Sequence, residues 1–189
     1  ALIGTLSSSE FKRAIFDRLA EVLPDDPFVL QHRSILERRL DNSELALKYA
    51  REAVRFSQNN SAIQNTLGFA LELAARKAPP SDVLIRRGYL NEATKIFNEG
   101  IRRFPLDPYN YSGLASVMRQ NIESETDRNK REQLQALAIS MLEEACEITD
   151  ESPVIVTLLG GQWAQLGNAE EAIVKLRKSL TLEPNENRV

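Results

Sequence analysis

The feature that most constrains the fold is the segment 153–186, which contains two helical patterns separated by a short turn. Gly167 and Asn168 in that turn both tolerate a positive φ, and Pro184 cannot continue the second helix. A single helix pair cannot bury its own apolar face, so the pattern requires neighbouring pairs. The apolar and small residues that recur at helical spacing are Val156, Leu159, Gly160 and Trp163, and then Ala172, Leu176 and Ser179.

The same two-helix pattern occurs three more times along the chain. Successive copies are 34 residues apart, or 47 and 45 residues apart where the chain is longer. We assign the additional residues to segments 75–87 and 122–132, at the turn within a helix pair. Two independent series of small residues define this register, namely Ser34, Gly68, Ala115 and Gly160 in the first helices and Ala46, Ala93, Ala138 and Ala172 in the second helices.

This pattern resembles the tetratricopeptide repeat (TPR) family, whose repeat is 34 residues long. The resemblance covers residues 7–186 and implies an all-α solenoid, a right-handed superhelix of about four repeats after a lone N-terminal helix. We expect a single domain over 1–189 and, because the lone helix lacks its first-helix partner, a fragment of a longer protein. The expected divisions are 7–26 for the lone helix and 27–60, 61–107, 108–152 and 153–186 for the repeats.

The two longer helix pairs carry a further expectation. Pro79-Pro80 interrupts the chain in the first insertion, and Ser81 is expected to cap the helix that follows. The lengthened pairs are expected to project together and to pack as an apolar ridge. The alternative is that both insertions are only tolerated extensions of a turn. The ridge would consist of Val83, Leu84 and Ile85, packed against Ile122 and Leu134.

Composition argues against several classes of function. The formal net charge of −3 gives no general attraction to nucleic acid or to anionic membranes, and no apolar run is long enough to span a bilayer. Cys146 is the only cysteine, so no intrachain disulfide exists and a cytoplasmic protein is expected. His32 is the only histidine, and no glycine-rich phosphate-binding motif occurs. We therefore expect no enzyme, no metal site and no cofactor.

By the same resemblance, the first helix of each repeat lines a concave surface that binds a partner. Its mixture of amides, arginines and aromatic rings suits an extended peptide or a helix of another protein. One TPR subclass holds the C-terminal carboxylate of chaperones with a clamp of Lys, Asn and Arg. The clamp positions are Gln31, Ile35, Tyr109 and Gly113 here, so we expect no chaperone of that type. The expected contact residues are Gln31, Arg38, Arg39, Asn65, Phe69, Tyr109, Ser112, Arg119 and Gln120.

Three other functions stay open at this point. The chain could be the C-terminal sensor region of a larger bacterial signalling or defence ATPase, which segment 30–54 faintly resembles. RNA binding through paired arginines is disfavoured, because acidic residues lie between the pairs. A homodimer could form through an apolar face of the last helix, at Ile173, Leu176, Leu180 and Leu182. The arginine pairs are Arg38-Arg39, Arg86-Arg87 and Arg102-Arg103.

Overall fold

The computed structural model of the protein describes residues 8–148, 153–165 and 169–182. Within these ranges the chain forms nine α-helices and no strand, so the predicted all-α fold is confirmed. Gly167, Asn168 and Pro184, which the sequence places at the last turn and helix end, lie outside the described residues. In chain order the helices are α1 Ser8–Val22, α2 Pro27–Arg39, α3 Ser43–Phe56, α4 Ser61–Lys77, α5 Val83–Arg103, α6 Pro108–Ser124, α7 Arg128–Ile148, α8 Pro153–Gln165 and α9 Ala169–Leu182.

Short polar side chains explain where several helices begin. The Asp26 carboxylate accepts hydrogen bonds from two backbone N–H groups in the first turn of α2, both at 2.9 Å. Asp107 caps α6 in the same way, at 3.0 Å, and Asn42 and Asn60 cap α3 and α4. A proline follows both aspartates, where its missing N–H costs nothing because that position has no helical acceptor.

The chain divides into two compact units, Ala1–Ile96 and Phe97–Val189, and α5 contributes residues to both. In the first unit, α2 packs against α1, α3 and α4, and α3 also packs against α4. Leu30, Ala53 and Ile63 form an apolar cluster in this unit. The Ser34 hydroxyl donates a hydrogen bond to the Ala46 carbonyl at 2.7 Å, which shows how closely the small residues let α2 approach α3.

In the second unit, α6 packs against α7 and α8, α7 packs against α8, and α8 packs against α9. Gly160 of α8 faces Leu176 of α9, and a Cβ on this glycine would lie 2.9 Å from the leucine side chain. All eight small residues that define the sequence register are buried, in agreement with their role at helix contacts. One apolar cluster in the core of this unit consists of Tyr111, Ala115, Ile139, Leu142, Ala145, Ile155 and Leu159.

The helix pair formed by α4 and α5 and the pair formed by α6 and α7 have longer helices than the other pairs. Each contains helices of 17 and 21 residues, whereas α2 and α3 have 13 and 14 residues. The prediction that Ser81 caps α5 is wrong, because this helix begins two residues later, at Val83. The backbone N–H of Asp82 donates to the Pro79 carbonyl at 2.9 Å, and this turn delays the start of the helix.

The prediction that the first turn of α5 is packed is also wrong. Val83, Leu84 and Ile85 are 64%, 84% and 53% exposed. Consecutive residues of an α-helix point in directions about 100° apart, so three in a row cannot share one packing face. The apolar character of this segment alone therefore did not indicate burial.

Candidate partner-binding surface

The α2–α4 contact of the first unit contains several of the side chains that the sequence assigns to a binding surface. The Gln31 side-chain amide donates a hydrogen bond to the Thr66 hydroxyl at 3.2 Å, and so links α2 to α4. Gln31 is 7% exposed and Asn65 is 5% exposed. These two amides are therefore part of the packed interior, and their burial leaves little surface for a partner.

Arg38 and Phe69 form the most distinctive contact on this side of the first unit. The Arg38 guanidinium carbon lies 5.1 Å from the centroid of the Phe69 ring, within the range of a cation–π interaction. Both side chains are half-buried, whereas Arg39, the next residue of α2, is exposed. The structure therefore brings Arg38 and Phe69 together across the α2–α4 contact.

Charge accumulates around Arg38. Burial lowers the pKa of its guanidinium; nearby Glu72 acts in the opposite direction, while Arg39 and Arg76 lower it further. Arg76 lies seven residues after Phe69, which places both on one face of α4. We refer to Arg38, Arg39 and Arg76, together with the Phe69 ring, as the arginine patch. The sequence analysis omitted Arg76, although its helical spacing from Phe69 would have indicated it.

Helix ends explain why arginines are tolerated at this place. Arg38 and Arg39 occupy the last turn of α2, and Arg76 and Lys77 occupy the last turn of α4. The C-terminal end of a helix carries a partial negative charge, which favours cations by about 0.3–1 kcal/mol each. Lys77 also forms a salt bridge with Asp41.

The second unit contains the remaining four residues of the predicted surface. Tyr109, near the start of α6, is 47% exposed, and Ser112 is half-buried. The Arg119 guanidinium donates a hydrogen bond to the Glu123 carboxylate of the same helix at 2.8 Å. Gln120 is 1% exposed and belongs to the interior. Tyr109 is therefore the predicted residue of this unit that presents the most surface.

A partly buried ion pair in the first unit was not anticipated from the sequence. The Arg13 guanidinium of α1 donates to both oxygens of the Glu37 carboxylate of α2, each at 2.8 Å. Glu37 is buried, and its pairing with Arg13 explains why an acidic residue is tolerated at this position of α2. This pair is a structural link between α1 and α2.

The contacts of the only histidine and the only cysteine indicate structural roles for both. His32 stacks on the Phe16 ring with centroids 5.4 Å apart, and its Nδ1 lies 2.8 Å from the Phe28 carbonyl oxygen. Cys146 is half-buried against the core of the second unit. Among the residues that the structure describes, no group of three or more potential metal ligands occurs. In the same residues, no helix is long and apolar enough to cross a membrane.

Helices α9 and α1 also present apolar side chains to solvent. Ile173 and Val174 of α9 are exposed, while Leu176 is half-buried beside Gly160. The side chains of Leu180 and Leu182, which the sequence also assigns to a dimer face, lie outside the described ones. On α1, the exposed apolar residues are Phe11, Ile15, Leu19 and Val22.

Solved structures with a similar fold show which fold class this chain belongs to. A thermophilic TPR protein of Thermus thermophilus matches with a TM-score of 0.75 and 20% identity, over 92% of this chain and 82% of its own. A segment of MamA from Desulfovibrio magneticus RS-1 matches with a TM-score of 0.54 and 14% identity, over 97% of this chain and 99% of its own. No protein-family model and no curated protein matches the sequence. The chain is a TPR-type helical repeat protein by fold, as the sequence pattern indicated.

Proposed function

We propose that this chain is a protein-interaction module and not an enzyme. It binds a peptide or helical segment of a partner through side chains on the first helices of its repeats. The observation that carries the proposal is the arginine patch, where Arg38 lies over Phe69 beside exposed Arg39. Arginine and aromatic side chains are enriched at the energetically important positions of protein interfaces. Exposed Tyr109 is a second candidate contact of the same chemical kind.

The proposal is tested by capture of partners on the immobilised chain, followed by titration calorimetry with each captured protein in purified form. The test variant replaces exposed surface side chains, Arg39→Ala together with Tyr109→Ala. A matched control, Arg55→Ala together with Lys95→Ala, replaces exposed cations on α3 and α5. We expect the test variant to weaken binding and the control to retain it. Equal binding by both variants would move the site away from the first helices.

The predicted domain divisions and the predicted location become part of this proposal. The chain acts as one module of four repeats in the cytoplasm, where a single cysteine stays reduced. Size-exclusion chromatography of the chain, with and without a purified partner, measures whether it binds as one module. Limited proteolysis that releases independently binding pieces would contradict the single-module division.

Homodimer formation is a second candidate function, favoured by the exposed Ile173 and Val174 of α9. A second copy that covers exposed apolar residues on one helix removes them from water, and this burial stabilises the dimer. Light scattering over a range of concentrations measures the mass of the chain in solution. A dimer that dissociates in an Ile173→Glu variant would support this function, and a monomer at all concentrations would remove it.

A further inference from the structure

The three arginines of the arginine patch differ from most other arginines of the first unit. Arg13, Arg33 and Arg51 each form a salt bridge with a carboxylate. In the part of the chain that the structure describes, Arg38, Arg39 and Arg76 form no salt bridge. Among the described residues, three neighbouring guanidinium groups are thus without a carboxylate at salt-bridge distance.

Of the three arginines, Arg38 has the greatest need of a partner for its charge. Its side chain is half-buried, and it has lost part of the water that would otherwise solvate its charge. The Arg38 guanidinium carbon lies over the Phe69 ring, 5.1 Å from its centroid. The N–H donors of a guanidinium lie in its plane and point outward from its edge. A planar acceptor with two oxygens fits such an edge with two parallel hydrogen bonds.

The charges around Arg38 favour a single carboxylate over a polyanion. Burial lowers the pKa of Arg38, Glu72 offsets part of this effect, and Arg39 and Arg76 lower the pKa further. A bound carboxylate would relieve this repulsion. The patch also lies next to buried Glu72 and, through Lys77, next to Asp41. Nucleic acid requires many phosphate contacts, and carboxylates among three cations oppose such a polyanion.

We propose that the arginine patch binds an aspartate or glutamate side chain in an acidic segment of a partner protein. Arg38 receives the carboxylate in a bidentate pair while Phe69 holds the guanidinium, and Arg39 and Arg76 attract and surround the charge. This inference rests on the proposed protein-interaction function and names the chemistry of the segment that is bound.

The test selects short random phage-displayed peptides on the immobilised full chain. The best peptides are then synthesised with a fluorescent label, and their Kd values are measured by anisotropy. Each peptide is compared with a version in which its acidic residues are replaced by the corresponding amides. We expect acidic residues to be enriched in the selected peptides, and the amide version to bind about tenfold or more weakly.

Two protein variants test the patch itself. Arg38→Gln and Arg76→Gln are each expected to weaken binding of the acidic peptide about tenfold. Arg76 is exposed, so its variant does not depend on the packing that Arg38 shares with Phe69. The control is Arg55→Gln, which removes an exposed arginine of α3 without a salt bridge among the described residues and should leave the Kd unchanged. Circular dichroism melts verify that all variants fold.

The outcomes separate the two levels of the proposal. Selected peptides without acidic enrichment, or acidic peptides that bind all variants equally, would overturn the arginine patch as the site and leave a protein-interaction module standing. No enrichment over bare support would overturn both. Binding of a labelled oligouridylate that Arg38→Gln abolishes, without acidic peptides in the selection, would replace the acidic segment with RNA.

Discussion

Replacement of Gly113 by alanine is the sharpest test of how tightly the second unit is packed. Gly113 lies in α6 against the ring of Phe97, which is completely buried. A Cβ at this glycine would lie 2.1 Å from both Cε1 and Cζ of Phe97, and 2.6 Å from Cδ1. Carbon atoms in contact are about 3.5–4.0 Å apart, so the ring would have to move by more than about 1 Å.

The expected magnitude follows from two opposing effects. Insertion of an extra carbon into a dense core costs about 1–3 kcal/mol. Alanine in place of glycine inside a helix returns about 1 kcal/mol. Because the Phe97 ring has no solvent into which it could move, we expect the upper part of the cost and a net loss of about 1–2 kcal/mol. For a protein of this size the melting temperature should fall by about 2–8 °C.

The same substitution at Gly161 supplies the control. Gly161 lies in α8 of the same unit, and beyond its chain neighbours and the backbone of its own helix no described atom lies within 4 Å of a Cβ placed on it. Gly161→Ala should therefore raise the melting temperature by about 1–4 °C, since only the helix preference acts. Melts followed by far-ultraviolet circular dichroism compare both variants with the wild type under the same conditions.

A double variant assigns the loss to the ring. Phe97→Leu removes Cε1 and Cζ, the two atoms that would clash most closely, so its combination with Gly113→Ala should be less destabilising than the sum of the two single changes. A Gly113→Ala variant that melts at or above the wild-type temperature would refute the close approach. Strict additivity in the double variant would assign the destabilisation to some cause other than Phe97.

Three further predictions follow from local geometry and charge. Gly100→Ala should destabilise the chain by about 1–2 kcal/mol in urea unfolding, after the helix preference of alanine is counted, because its Cβ would lie 1.9 Å from Oδ1 of buried Asn110. A gain in stability would contradict this contact. Asp41 has φ 61°, in the left-handed region that glycine adopts more readily than alanine. Asp41→Gly should therefore be about 1–2 kcal/mol more stable than Asp41→Ala, although both variants lose the exposed salt bridge to Lys77. Equal melting temperatures would show that the left-handed conformation carries no strain. Burial, and then Glu144, raise the pKa of Tyr111 above its ordinary value of 10.0. As the pH rises, the unfolded chain therefore loses the Tyr111 hydroxyl proton before the folded chain does. The contribution of Tyr111 to the free energy of unfolding is thus fully present below about pH 10 and declines above it. Tyr111→Phe should reduce that decline in alkaline melts, and an unchanged pH profile would contradict the assignment.

Much of the fold was accessible from the sequence, because the signals involved are local. Aspartate or asparagine before a proline or serine specifies where a helix begins, and the side chain needs only its own first turn to do so. Small residues such as Ser34 and Gly160 mark where two helices approach, since any larger side chain would separate the backbones. These positions recur at the repeat spacing, and so an all-α repeat fold could be inferred without any knowledge of distant contacts.

The candidate site was only partly accessible in this way. Helical spacing indicates which residues share a face, but it does not tell how far a neighbouring helix covers that face. Gln31, Asn65 and Gln120 share a helix face with residues at the surface, yet they are buried. Val83 and its two apolar neighbours show the opposite case, since they are exposed although their composition suggested packing.

The sequence by itself determined the order of the helices, several of their starts and the points of close approach, since each depends on residues near one another in the chain. Only the tertiary structure decided which charges meet. Arg38 and Phe69 are on different helices, and their contact exists because α2 packs against α4. The same packing brings Arg76 close enough to Arg38 to lower its pKa. The surroundings of a charge depend on burial and on neighbours from other helices, and both arise only when the chain has folded.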